Sequence, residues 1–92
     1  MESEKQKQSF RNLKSQNKVS LVLHNDDVNT FDFVISNLME VCEHSLPQAE
    51  QCALITHHKG KCEIKLGESS VLKPMQSILQ EKGLIVTLED EL

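Results

Sequence analysis

One junction constrains this chain more than any other. The apolar run Val19-Ser20-Leu21-Val22-Leu23-His24 passes without a spacer into Asn25-Asp26-Asp27. Six residues this dense in Val and Leu read as a strand of a largely buried sheet. The three that follow favour turns, because their side chains bond the nearby backbone. The strand must therefore run through a core and stop at a polar edge. Two further segments supply its sheet partners. Cys62, Ile64 and Leu66 alternate with Glu63 and Lys65, the period-two pattern of a half-buried strand, and Gly67 is expected to break it. Leu84 to Leu88 forms the last strand, followed by an acidic tail.

Helical spacing fills the gaps. Phe31, Val34, Ile35, Leu38, Met39 and Cys42 mark one face of a helix over about 30–43. Asn29 or Thr30 can cap it, and Asp32 suits the positive end of its dipole. Ser45-Leu46-Pro47-Gln48 is a start signal with a capping box. Leu46, Ala49, Cys52, Ala53 and Thr56 then line a second helix over about 46–57, closed by Lys59-Gly60-Lys61. Leu72, Met75, Ile78 and Leu79 mark a third, ending at Lys82-Gly83. Pro74 is expected in its first turn, which puts the start near Leu72 or Lys73. The predicted fold class is α/β (α+β): a compact two-layer β-α-α-β-α-β domain with three helices on a three-stranded sheet.

Composition narrows the function. Of 92 residues, 38% are hydrophobic, with three Phe and no Trp or Tyr, so the core must be aliphatic and a base-stacking platform is not expected. The net charge of −4 argues against a general nucleic-acid binder. That charge is uneven. Lys5, Lys7, Arg11, Lys14 and Lys18 outnumber Glu2 and Glu4, whereas the rest of the chain is acidic. Residues 1–17 read as a flexible N-terminal extension and 18–92 as the folded domain. No segment reaches the roughly 18 apolar residues that span a bilayer, and no apolar signal core is visible. Cys42, Cys52 and Cys62 form no CxxC pair and fit reduced thiols, so a cytoplasmic protein without metal or other cofactor is expected. No helix is expected to carry a second apolar face, which points to a monomer.

Two polar clusters stand out. His24-Asn25-Asp26-Asp27 reads as a turn and helix cap, or as a patch of acceptors for a cation. Thr56-His57-His58 ends the second helix, where the dipole alone favours histidine, or it supplies a ligand-binding imidazole. No nucleophile motif or glycine-rich phosphate loop accompanies them, so an enzyme is not expected.

Taken in order, Val22-Leu23-His24-Asn25-Asp26-Asp27, Phe31-Asp32-Phe33-Val34, Ala49-Glu50-Gln51 leading to His57, Lys59-Gly60-Lys61 and Leu84-Ile85-Val86-Thr87-Leu88-Glu89 carry a resemblance. Over residues 18–90 the chain resembles ClpS, the Clp protease adaptor family of the bacterial N-end rule. The resemblance implies capture of proteins with a bulky hydrophobic first residue (Leu, Phe, Tyr or Trp) and delivery to a Clp AAA+ ATPase, ClpA- or ClpC-like. It further implies that Asn25, Asp27 and His57, with Asp26 in a lesser role, surround the substrate's α-amino group. The implied pocket walls are Leu23, Asn29, Phe31, Val34, Ala53, Thr56 and Leu84, and Glu68 and Lys73 align with ATPase-docking positions. The chain departs from the family in having Asn29-Thr30-Phe31 for the usual Thr-Pro-Met. It also has Ala53 for a frequent Met and Thr56 for an aliphatic residue. The alternative is a non-enzymatic interaction domain of similar fold, like the C-terminal domain of the ribosomal stalk protein, which needs neither Asn-Asp-Asp nor a matched His.

Overall fold

The computed structural model describes residues 18–90. The expected extension at 1–17 lies outside the described residues. The elements are β1 (Lys18–His24), α1 (Phe31–Cys42), α2 (Leu46–Lys59), β2 (Lys61–Glu68), α3 (Ser69–Glu81) and β3 (Ile85–Asp90). That is the predicted order. The sheet is antiparallel throughout, with β1 between β2 and β3. Central placement explains why β1 carries the densest apolar run: Leu21 and Leu23 are buried between partners on both sides. Leu38 and Cys42 of α1, Ala49 of α2, and Leu72 and Leu79 of α3 cover that face and join Ile64 and Val86 in one core. The three helices form a single layer on the sheet.

The caps follow local chemistry. Thr30 accepts from the Phe33 amide at 3.1 Å and starts α1. Ser45 and Gln48 bond reciprocally at 3.2 and 3.3 Å, the capping box read from the sequence. Gly60 takes φ 96 and donates its N–H to the Thr56 carbonyl at 2.9 Å, stopping α2.

Three expectations need correction. Gly67 does not break β2, which continues to Glu68. Its missing side chain is accommodated because it pairs with Val19 at the end of the ladder. Leu66 faces outward, 48% exposed, because the register shifts between Leu21 and Val22 and leaves Ile64 as a bulged residue. The extra residue flips alternation, so Leu66 shares a face with Ser20 while Lys65 pairs with Leu21. The bulge is stabilised from α1's side of the core. Buried His44 donates Nε2–H to the Ile64 carbonyl at 2.7 Å, which fixes its tautomer and leaves Nδ1 buried without a partner among the described residues. The third correction is α3, which begins at Ser69, so Pro74 lies inside it. Pro74 removes the bond to the Ser70 carbonyl, on an exposed face where water can replace it. On α3, Val71 and Ile78 are also exposed, two turns apart, so an outer apolar pair exists where none was expected.

Candidate functional site

The end of β1 is tied directly to the end of α2. The Asn25 amide donates to the Gly60 carbonyl at 2.9 Å. Gly60 is the left-handed cap that α2 requires, so the same residue ends the helix and anchors the turn. This bond brings Asn25-Asp26-Asp27 beside Thr56 and His57, although the two clusters are some thirty positions apart in the chain.

The three polar residues of the turn do different work. Asp26 is occupied structurally. Its Oδ1 accepts from the Val28 and Asn29 amides, each at 2.8 Å, and its Oδ2 accepts from Asn29 Nδ2 at 3.0 Å. Burial opposes its ionisation, but the bonds from Asn29 and Val28 prevail and hold the carboxyl below the ordinary 3.8. The Asn29 amide then reaches across to the Gly83 carbonyl at 2.9 Å, pinning the turn to the loop between α3 and β3. Asn25 and Asp27, by contrast, are exposed and have no side-chain hydrogen bond among the described residues. His57 is likewise without a hydrogen bond there. Its ring meets Phe31 edge-on at 5.9 Å and 82°, and His58 at 5.1 Å.

Between these elements lies a cavity of about 310 Å³. Leu23, Ala53 and Thr56 are the deeply buried members of its lining, and half-buried Val34 and Asn29 form its sides. Asn25, Asp27, Phe31 and His57 are the exposed ones, at the mouth. Ala53 and Thr56 are three apart on one face of α2, so they meet the cavity together. An apolar interior with a polar mouth can hold a hydrophobic side chain while uncommitted acceptors face the cationic group beside it.

Every residue expected around the amine or in the pocket walls lines this cavity except Leu84. That residue is 3% exposed in the core, and its amide bonds the Leu79 carbonyl at 3.0 Å. His24 was not singled out as a site residue, yet it lines the cavity. Thr87 donates to Glu89 at 3.3 Å, so it accepts from His24 Nε2–H at 2.8 Å. Only its position next to Asn25 in the sequence hinted at this. Glu68 and Lys73 lie elsewhere: Glu68 precedes α3 without a side-chain capping bond, and both are exposed. Among the described residues no group of three His, Cys, Asp or Glu side chains converges to hold a metal. No helix there is long and apolar enough to cross a membrane.

Known proteins bear on this geometry in three ways. The family described as "ATP-dependent Clp protease adaptor protein ClpS" matches residues 14–87. The ATP-dependent Clp protease adapter protein ClpS of Campylobacter jejuni subsp. jejuni is 40% identical over 60 residues, which are 63% of this chain and 62% of that protein. The protein of the same name from Nitratidesulfovibrio vulgaris is 36% identical over 55 residues, 58% of this chain and 55% of the relative. The matched stretch thus spans less than two thirds of either relative's length. Among solved structures, Agrobacterium tumefaciens ClpS2 bound to L-phenylalaninamide superposes with a TM-score of 0.72 at 23% identity, over 83% of this chain and 99% of that one. The structural match establishes a shared fold, and with a family match running from before β1 into β3, the chain belongs to the ClpS family of Clp protease adaptor proteins.

Proposed function

We propose that this chain captures proteins by their first residue and delivers them to a Clp-family AAA+ ATPase, ClpA- or ClpC-like, in the cytoplasm. The observation that carries the reading is the composition of one cavity. Its mouth holds Asn25, Asp27 and His57, none of them engaged by a hydrogen bond from the described residues, and its interior is mainly apolar. The ligand named for the Agrobacterium relative supports it. L-phenylalaninamide has a free α-amino group, a benzyl side chain and an amide where a protein chain would continue, so it stands in for an N-terminal Phe.

The capture is reversible binding with no covalent step. An α-amino group has a pKa of roughly 7.7–8.0 and is mostly cationic at neutral pH. Asp27 offers it a carboxylate, Asn25 an amide oxygen for the amine and an N–H for the first peptide carbonyl, and a neutral His57 a ring nitrogen. Asp26 helps indirectly, because it shapes the turn that presents its neighbours. The hydrophobic side chain (Leu, Phe, Tyr or Trp) enters between Leu23, Val34, Phe31, Ala53 and Thr56. Charge-assisted bonds of about 1.5–3 kcal/mol each and a similar gain from the buried side chain, less the entropy of association, put affinity on the order of micromolar. Such a complex can still release its cargo. Docking on the ATPase is assigned to the exposed start of α3, with Glu68 and Lys73.

A pull-down tests the site. A Phe-starting peptide should be retained where its Met-starting twin is not. Asn25→Ala and His57→Ala should each abolish retention with unchanged circular dichroism. Retention by both variants would place binding elsewhere.

A further inference from the structure

Below its mouth the cavity carries two polar side chains whose hydrogens are already committed. Thr56, 5% exposed, donates its hydroxyl hydrogen to the Cys52 carbonyl at 2.8 Å. A hydroxyl has one hydrogen, so Thr56 Oγ1 retains only lone pairs. Asn29 Nδ2 has two hydrogens, and they go to Asp26 Oδ2 at 3.0 Å and the Gly83 carbonyl at 2.9 Å. What Asn29 has left to offer is its carbonyl oxygen. Apart from His24, whose Nε2–H is bonded to Thr87, the lining side chains outside the amine-binding cluster, Leu23, Phe31, Val34 and Ala53, are apolar. Of these six, four are apolar and two can only accept.

A lining of this kind discriminates. A ligand group with a hydrogen to donate finds a partner there. One without leaves oxygen lone pairs facing hydrocarbon, and one that can only accept meets repulsion. Ala53 matters to the placement. It is the smallest lining side chain and sits one turn before Thr56, so it leaves room for a ring beside that residue. The cavity, about 310 Å³, lies at the low end of ligand pockets, of a size for a single aromatic side chain.

Resting on the amine-capture reading above, we propose that this pocket selects a first residue whose side chain carries a hydrogen-bond donor, tyrosine foremost, over phenylalanine and leucine, with Thr56 and Asn29 as the specificity-determining residues. Tyr and Phe differ by one hydroxyl, so the pair isolates the effect. One neutral hydrogen bond is worth on the order of three- to tenfold in affinity.

The test is fluorescence anisotropy on the full chain with labelled peptides that differ only in residue one. Tyr should bind about three- to tenfold tighter than Phe. In Thr56→Val, which keeps the shape and removes the oxygen, the Tyr:Phe ratio should fall towards one. In Thr56→Ser, which restores the oxygen, the ratio should return. Equal or tighter binding of Phe by the parent chain overturns the inference alone, as does a ratio unchanged by Thr56→Val. If neither unblocked peptide binds, or if N-terminal acetylation leaves binding unaltered, the amine-capture reading falls and takes this inference with it.

Discussion

Replacing Asp26 with Ala would separate the two adjacent carboxylates of the turn by what each does. The substitution removes the acceptor of three hydrogen bonds, from the Val28 amide, the Asn29 amide and Asn29 Nδ2. Two of these resemble a helix N-cap interaction, whose loss costs about 0.5–2 kcal/mol. Asp26 is half-buried, so water can replace part of what is lost, and the expected total is about 1–2 kcal/mol. For a domain of this size that lowers Tm by roughly 5–15 °C. Urea unfolding followed by circular dichroism measures it, with the slope m unchanged. The pH dependence supplies a sign. Asp26 titrates below 3.8 when folded and near 3.8 when unfolded, so its stabilisation is complete above the unfolded value. It is lost as pH falls through the folded value. The gap between parent and variant should therefore close as the solution is taken well below 3.8. A gap of the same size at neutral pH and at strongly acidic pH would refute the reasoning, as would no gap at neutral pH. Asp27→Ala, which removes no such bonds, should leave Tm within a few degrees of the parent.

Other consequences follow from the packing. Leu38→Ala empties a fully buried position and should cost about 2–5 kcal/mol in urea unfolding. The bulge predicts a contrast within β2: Ile64→Ala should cost at least about 2 kcal/mol, whereas Leu66→Thr should stay within about 0.5 kcal/mol. Gly60→Ala forces a side chain into φ 96 and should cost about 1–2 kcal/mol, although nothing lies within 4 Å to clash with it. Burial raises the Cys42 thiol to about 11, and burial together with a hydrogen bond to Cys52 raises Cys62 to about 12. A raised thiol stabilises the fold below the ordinary 9.0 and loses that contribution as pH climbs past it. Native-state alkylation at both positions should therefore be slow at pH 8 and accelerate on unfolding, as followed by mass spectrometry.

Element order was legible in the sequence because each element carries its own punctuation. Ser45 to Gln48 is sufficient to start a helix by local bonding, and Gly60 is sufficient to stop it, whatever surrounds them. The errors fell where the deciding partner is remote. Leu66 alternates correctly with Cys62 and Ile64, but the register is set by β1, and a single unpaired residue reverses the face. Pro74 suggested a helix start, yet an exposed position lets water take over the carbonyl it abandons. At the site, the sequence suggested which residues gather, through the likeness of its spaced motifs. It set Asp26 below Asp27 but did not show why, since that depends on which carboxylate turns back onto the Val28 and Asn29 amides. Nor did it show that Leu84 is buried in the core and tied by its amide to α3. His24 stood in the polar cluster but received no role at the site, because its bond to Thr87 joins strands 63 positions apart.

The account turns on a cationic α-amino group meeting Asn25, Asp27 and His57. Titration of the full chain with a Phe-starting peptide and its N-acetylated twin measures that contact alone, since the side chain is the same in both. Loss of two or three charge-assisted bonds predicts affinity lower by at least about thirtyfold for the acetylated peptide. Equal affinity for the two would contradict the assignment of this cavity to N-terminal capture.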